Sequence, residues 1–283
     1  MIDKDKVILI IGLGLIGGSY AKGLKKHGYM VYAISRGQKT IDYALENGII
    51  DQGSIQEDTE LIGQADFIIF GLYPHTMIDW IFRNQQYFKP GAVITDVCGV
   101  KCGVIDVVQE KLRKDVEFIG SHPMAGKEVS GVEHSDDAIF HSANFIITPT
   151  KYNTERGISF IRDLANLLGF RHIAVLTPQQ HDEMIGYVSQ LTHAVAVSLM
   201  NANDNAYLKE YTGDSFRDLT RIAKINETLW CELFFLNKQN LVREIDDLIA
   251  ELENLKQKIE DEDEDGIKQL FIQSTERRKQ FDK

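Results

Sequence analysis

Apolar positions follow two different grammars along the chain of 283 residues. Up to residue 178 they come as short continuous runs rich in β-branched residues. These lie at Lys6–Ile11, Tyr29–Ile34, Asp66–Gly71, Ala92–Asp96, Val116–Gly120, Asn144–Thr148 and His172–Leu176. Between them lie stretches with helical spacing, such as Ile16, Tyr20 and Leu24. A strand that is apolar throughout, rather than alternating, is buried on both faces. Alternation of such strands with helices predicts an α/β Rossmann-type, doubly wound, mostly parallel sheet covered on both sides.

Beyond residue 178 the strand pattern stops. All five prolines lie at or before Pro178, and of 22 glycines only Gly186, Gly213 and Gly266 follow it. A segment almost free of breakers predicts an all-α C-terminal domain. The boundary expected at Leu176–Pro178 gives domains of 1–177 and 178–283. In the second domain Leu241, Ile245, Leu248, Leu252, Leu255 and Ile259 recur every three or four residues along one long helix. Such a stripe needs a partner helix, from packing within the domain or from a second subunit in a homodimer. The acidic run Glu260–Asp265 predicts a solvated connector before a short terminal helix, Gly266–Phe281.

Composition narrows the class. The net charge of −11 argues against nucleic acid or anionic lipid as a partner. No apolar run approaches the roughly 18 residues of a membrane span. The opening Met1–Lys6 leads straight into a strand, so no signal peptide is expected. The cysteines Cys98, Cys102 and Cys231 form no paired framework and complete no zinc set. A cytoplasmic enzyme without a metal is the expectation.

Candidate chemistry begins at Gly12-Leu13-Gly14-Leu15-Ile16-Gly17, directly after the first strand. In a strand–loop–helix setting, G-x-G-x-x-G grips a dinucleotide. The first glycine makes the turn, the second admits the pyrophosphate, and the third lets helix pack on strand. The second strand ends in Ser35-Arg36-Gly37-Gln38-Lys39, with no carboxylate for a ribose hydroxyl. A hydroxyl followed by cations favours the 2′-phosphate of NADP. The alternative is NAD, with Arg36 as a surface cation stacking on adenine.

Two further clusters can carry chemistry. His122, in Gly120–Gly126, follows a predicted strand, where ligands of doubly wound sheets bind, and Pro123 restricts its backbone. It is either a general base or a loop histidine with a satisfied hydrogen bond. Ser189 and His193 share a helix face, with Ile185, Val188, Leu191 and Val195 expected to be buried, and are either a packing pair or a site. Arg217 and Arg221 share another face; Arg221 either pairs with Asp218 or holds a carboxylate.

These segments resemble the prephenate/arogenate dehydrogenases of tyrosine biosynthesis. The resemblance runs through the glycine loop to Ser19, Thr95–Lys101, Gly120–Gly126, Ser130–Glu133, Val188–Ala194 and Phe216–Ala223. It implies a Rossmann domain, a helical dimerisation domain and an active site between them. The implied reaction is oxidative decarboxylation of prephenate to 4-hydroxyphenylpyruvate, with hydride passing to NAD(P). By the same resemblance His122 takes the hydroxyl proton, Arg221 holds a substrate carboxylate, and Ser189 and His193 line the pocket. Gly99 falls on the cofactor side. Glu128 is expected to gate Arg221 when the pocket is empty.

The chain departs from the family's pattern in places. Many relatives carry serine at Gly99, which leaves open what orients His122. Relatives often read Ser-His-Leu-Pro-His where this chain has Ser189-Gln190-Leu191-Thr192-His193. Some members carry a C-terminal regulatory domain, whereas this chain stops at Lys283. Feedback by tyrosine, if present, is therefore expected to act at the active site or the dimer interface. Arogenate in place of prephenate stays open. A β-hydroxyacid dehydrogenase is disfavoured because no lysine falls between Lys151 and Lys209. A non-catalytic NADP sensor leaves His122 and Arg221 without a role.

Overall fold

A computed structural model describes residues 2–281. Its sheet contains β1 (Val7–Ile11), β2 (Met30–Ile34), β3 (Gln52–Ser54), β4 (Phe67–Phe70), β5 (Val93–Asp96), β6 (Glu117–Pro123), β7 (Asn144–Thr148) and β8 (His172–Val175). The order is β3-β2-β1-β4-β5-β6-β7-β8, and every pairing is parallel except β6 with β7. The chain reverses direction across the sheet between β1 and β4, opening a crevice beyond their carboxyl ends. The expected doubly wound sheet is present. Only β3 escapes the hydrophobic pattern, because Gln52-Gly53-Ser54 is a short edge strand with little to bury.

The helices α1 (Leu15–Lys26), α2 (Gln38–Glu46), α3 (Thr59–Gln64), α4 (Pro74–Asn84), α5 (Cys102–Lys111) and α6 (Glu155–Leu167) cover the sheet. Strand alternation explains the continuous apolar runs. Ile8 and Ile10 enter one core with Tyr20, Leu24, Phe160 and Leu164. Leu9 and Ile11 enter the other with Met77, Ile81, Val104 and Val108. Each such side chain contributes roughly 1.5–3 kcal/mol by leaving water.

Beyond β8 the chain is helical: α7 (Pro178–Ile185), a π-helical turn (Gly186–Leu191), α8 (Thr192–Asn201), α9 (Leu208–Tyr211), α10 (Asp214–Thr220) and α11 (Glu227–Leu236). Thr177 and Gln180 form a reciprocal capping box at the start of α7, with Pro178 where a missing N–H costs nothing. Leu229, Trp230, Leu233 and Leu236 of α11 pack against the second core. The change to helix alone falls at Pro178, whereas compactness divides the chain after Asn237, so α7–α11 belong to the same unit as the sheet.

The unit from Lys238 onward holds α12 (Lys238–Glu260) and α13 (Glu264–Arg278), with Asp263 accepting from the Gly266 amide at the start of α13. The acidic connector is shorter than expected, because Glu264 and Asp265 favour the positive end of α13 and join it. On the apolar stripe of α12, Leu241 is buried, but Leu252 and Ile259 are 56% and 59% exposed. No helix among the described residues is long and apolar enough to cross a membrane.

Ile10→Ala removes a fully buried side chain from the middle of β1. It should lower the unfolding free energy by about 2–5 kcal/mol in urea melts, and a loss below about 1 kcal/mol would contradict this two-faced core.

Candidate active site

The glycine loop sits at the reversal point of the sheet. Gly12 has φ +97°, and a Cβ there would lie 2.6 Å from the Gly71 carbonyl oxygen on the neighbouring strand end. Its amide donates to the Ile34 carbonyl at 2.8 Å, tying the loop to β2. A Cβ on Gly17 would collide with the Gly12 carbonyl, so helix and loop pack only without one. Leu13 and Leu15 are buried and Ile16 is half-buried, holding the loop from below. Gly14 differs: a Cβ there meets nothing within 4 Å. It precedes α1, whose first turn has no capping side chain and no acidic residue. Open backbone beside uncapped helix amides fits a pyrophosphate.

Past β2, Ser35 is half-buried and its amide donates to the Ser54 carbonyl at 3.1 Å. Arg36 and Lys39 are exposed beside the start of α2, where Gly37 supplies no capping side chain.

His122 lies within β6, not in the loop after it: the strand runs on to Pro123, and His122 pairs with Ile146 of β7. The antiparallel ladder therefore fixes its backbone. Its Nδ1 lies 2.9 Å from Nε2 of His181. His181 in turn places Nδ1 2.7 Å from Oδ1 of Asp182. The Asp182 carboxylate accepts the amides of Lys101 and Cys102, each at 2.8 Å. Burial, with the nearby His181 and Lys101, pushes the His122 pKa well below 6.5. Burial also lowers that of His181, against the opposing pull of Asp182. For Asp182, burial acts upward but is outweighed by the His181 bond and the two amides, so its pKa falls below 3.8. At neutral pH the array is a neutral base backed by a neutral histidine and a carboxylate.

The loop beneath it is held by a charge pair. Lys101 Nζ lies 2.5 Å from Asp96 Oδ2, with both side chains at 0% exposure. Lys101 also donates to the Cys98 carbonyl at 2.9 Å, and Asp96 accepts the Cys98 and Ser121 amides. Gly99 lies in this loop: a Cβ there would be 3.9 Å from His122 Cε1 and 3.5 Å from Leu233.

Trp230, one turn before Leu233 on α11, packs against His193 with ring centroids 3.8 Å apart and the planes tilted by 30°. His193 Nδ1 donates to the Ser189 carbonyl at 2.9 Å, and its pKa is lowered chiefly by burial. Glu128 and Arg221 both act electrostatically on this ring and are bonded to each other. Arg221 therefore pairs with Glu128 rather than Asp218. Arg217 instead turns to Asp214 at 2.6 Å.

The π-helical turn alters the predicted helix face. Its extra residue per turn shifts the phase, so Gln190 is buried and Val188 is 47% exposed, the reverse of expectation for Val188. Gln190 donates to the Leu233 carbonyl and accepts from Asn237, so this position serves packing.

The structure thus gathers His193, Ser189, Arg221 and Glu128 in one cluster and ties Gly99 to His122. Sequence reasoning missed His181, Asp182 and Trp230. Adjacent His and Asp on the second turn of a helix starting at a Thr-Pro cap was the available signal for the first two. Trp230 is hidden in the apolar run of α11.

A glycine cradle at the switch point of a doubly wound sheet, with a desolvated histidine one strand beyond β5, defines a nicotinamide-dinucleotide-dependent dehydrogenase. Family models match most of the chain. Residues 20–174 match "Prephenate dehydrogenase, nucleotide-binding domain", and residues 177–273 match "Prephenate dehydrogenase, dimerization domain". The chain belongs to the prephenate dehydrogenase family. It is 30% identical to the prephenate dehydrogenase of Bacillus subtilis, over 95% of this chain and 74% of that protein. The crystal structure of Aquifex aeolicus prephenate dehydrogenase with hydroxyphenyl propionate and NAD+ superposes with a TM-score of 0.90, at 29% identity and 98% coverage of both chains. Synechocystis arogenate dehydrogenase gives a TM-score of 0.82 at 25% identity, over 97% of this chain and 99% of that one.

Gly14 separates the cradle from the fold. Gly14→Ala has room and an ordinary backbone conformation. It should leave the melting temperature within a few degrees yet weaken dinucleotide binding by roughly tenfold or more, the worth of about 1.4 kcal/mol. Titration by reduced-cofactor fluorescence reads this. Unchanged affinity would remove Gly14 from the binding surface.

Proposed function

We propose that the chain oxidatively decarboxylates prephenate to 4-hydroxyphenylpyruvate. The observation that carries this reading is His122, held in β6 of the sheet whose switch point carries a family-typical glycine cradle. The dinucleotide, when bound, accepts a hydride from the ring carbon that carries the hydroxyl. His122 removes the hydroxyl proton: the O–H bond breaks and an N–H bond forms. As the carbonyl develops, the bond to the ring carboxylate breaks and neutral CO2 leaves. The bonding electron pair passes through the ring to the oxygen, the ring becomes aromatic, and the oxygen takes a proton back from His122 to become the phenol hydroxyl. Aromatisation drives the reaction, so the protein supplies orientation, one base and anion holders.

Arg221 holds a substrate carboxylate in this proposal, exchanging Glu128 for the ligand, with Ser189, His193 and the Trp230 ring around it. Gly12, Leu13, Gly14, Leu15, Ile16 and Gly17 hold the pyrophosphate, and Gly99 admits the nicotinamide side beside His122. Ser35 and Arg36, with Lys39 and the uncapped start of α2, favour NADP over NAD. Residues 1–177 form the dinucleotide-binding domain and 178–283 the substrate and dimerisation domain. The exposed Leu252 and Ile259 on the stripe of α12 support a homodimer, and a cytoplasmic location is part of the same proposal. Arogenate is the second substrate reading, favoured by the likeness to the Synechocystis enzyme.

Initial rates with prephenate or arogenate, each with NAD or NADP, test this directly. Turnover of prephenate, faster with NADP, is expected. Arg36→Ala should shift the ratio toward NAD by about tenfold, the scale of one charge-assisted contact. Absence of turnover in every combination, by protein that binds cofactor, would overturn the reading.

His122→Asn should lower kcat by roughly 10² to 10⁴ with little change in KM. Arg221→Ala should mainly raise KM, and identical behaviour of the two variants would refute the division of roles.

Because the His122 pKa lies below 6.5, the base stays unprotonated at neutral pH. The rate should fall only as pH drops below that value. An acid limb centred above 6.5 in kcat/KM would contradict this.

A further inference from the structure

We infer that His181 and Asp182 are positioning residues that lock His122 into a single tautomer, protonated on Nδ1, so that Nε2 alone carries the base's lone pair. The inference deepens the proposed decarboxylating oxidation and rests on it for the identity of the proton donor.

The hydrogen-bond inventory fixes each proton in turn. Backbone amides can only donate, and they occupy both Asp182 oxygens: Lys101 N on Oδ1 and Cys102 N on Oδ2, each at 2.8 Å. Both oxygens therefore accept, and with its pKa held below 3.8, against burial, by the His181 bond and these two amides, Asp182 is the carboxylate. His181 Nδ1, 2.7 Å from Oδ1, must then be the donor. His181 is wholly buried, with a relative exposure of 0%. A neutral ring that donates through Nδ1 bears its lone pair on Nε2. That nitrogen lies 2.9 Å from His122 Nδ1, which must supply the proton between them. His122 Nε2 is left unprotonated.

The same array answers for the charge that catalysis creates. When Nε2 takes the hydroxyl proton, His122 becomes an imidazolium in a half-buried position. Its Nδ1–H bond to His181 then becomes charge-assisted, and the Asp182 carboxylate lies directly beyond. A hydrogen bond of this kind is roughly twice as strong as a neutral one. The array thus supplies the orientation that serine would give at Gly99, where only 3.9 Å separates a Cβ position from His122 Cε1.

The test reads tautomers first. In 15N-labelled protein without cofactor, long-range 1H–15N spectra at pH 8 should show His122 with a protonated Nδ1 and an unprotonated Nε2, assigned through His122→Asn. In His181→Ala the His122 ring should become a mixture of tautomers. With prephenate, His181→Ala should lower kcat by roughly 10- to 100-fold, part of a general base's share, at nearly constant KM. His181→Gln keeps a neutral acceptor for His122 Nδ1 and should recover most of that loss. A wild-type ring protonated on Nε2, or an unchanged tautomer and rate in His181→Ala, would overturn the inference. If His181→Ala does not fold, the wild-type spectrum still decides. A locked tautomer in a protein that turns over neither substrate would sink the proposed function and leave the positioning role standing.

Discussion

The pair Asp96–Lys101, wholly withdrawn from water, is the interaction on which the site depends. Two ions at 0% exposure are costly to bury unless every lone pair and proton is used. Here they are used structurally. Asp96 ends β5 and accepts amides from its own loop and from Ser121 of β6, while Lys101 also closes on the Cys98 carbonyl. The pair thereby sets the path of residues 96–101 across the strand ends. That path presents the Lys101 and Cys102 amides to Asp182, and through Asp182 and His181 it reaches His122. Removing one partner would leave a buried charge uncompensated, a cost of roughly 3–5 kcal/mol. The loop's geometry would be lost with it.

The second constraint is the insertion of a π-helical turn between α7 and α8. A continuous α-helix would keep Val188 on the buried face and Gln190 off it. The wider turn rotates Gln190 inward, where Leu233 and Asn237 satisfy its amide, and Asn237 also donates to the Asp182 carbonyl. The buried amides therefore join α7, carrying His181, to α11, carrying Trp230. The helical part of the site is fixed to the sheet part by satisfied polar groups as well as by apolar packing.

The legibility of these features follows from the range of the interactions. The sheet was readable because burial on two faces writes continuous apolar runs, and the glycine cradle because backbone conformation and close approach demand glycine locally. β3 was not, since an edge strand of Gln52-Gly53-Ser54 carries no burial signal. Spacing placed Ser189 with His193 and Arg217 with Arg221 on helix faces but left packing and site readings open. The resemblance, not the spacing, pointed to a site, and their neighbours could not be read at all. Arg221 meets Glu128 from far along the chain, and Trp230 reaches His193 from another helix. His181 was hidden most deeply. Its importance lies in which nitrogen faces which partner, and helical periodicity holds no information on that. The π-helical turn, an irregularity of one residue, likewise defeats a 3.6-residue pattern.

The two ends of the site differ in how much water they meet, and that difference suits their proposed tasks. The Arg221 side chain is 61% exposed and that of its partner Glu128 36% exposed. An ion pair in that setting contributes at most about 1 kcal/mol, so an arriving carboxylate can displace Glu128 at little cost. At His122 the reverse holds. Burial keeps the ring unprotonated at neutral pH, but the same burial penalises the imidazolium it would become as the proposed base. A base of this kind works only if the protein already holds a counter-charge in line with the new proton. Asp182, reached through His181, is that charge, and its own ionisation is secured by amides that the buried Asp96–Lys101 pair holds in place. The exposed ionic contact therefore sits where the proposal needs exchange, and the buried one sits beneath the proposed proton transfer.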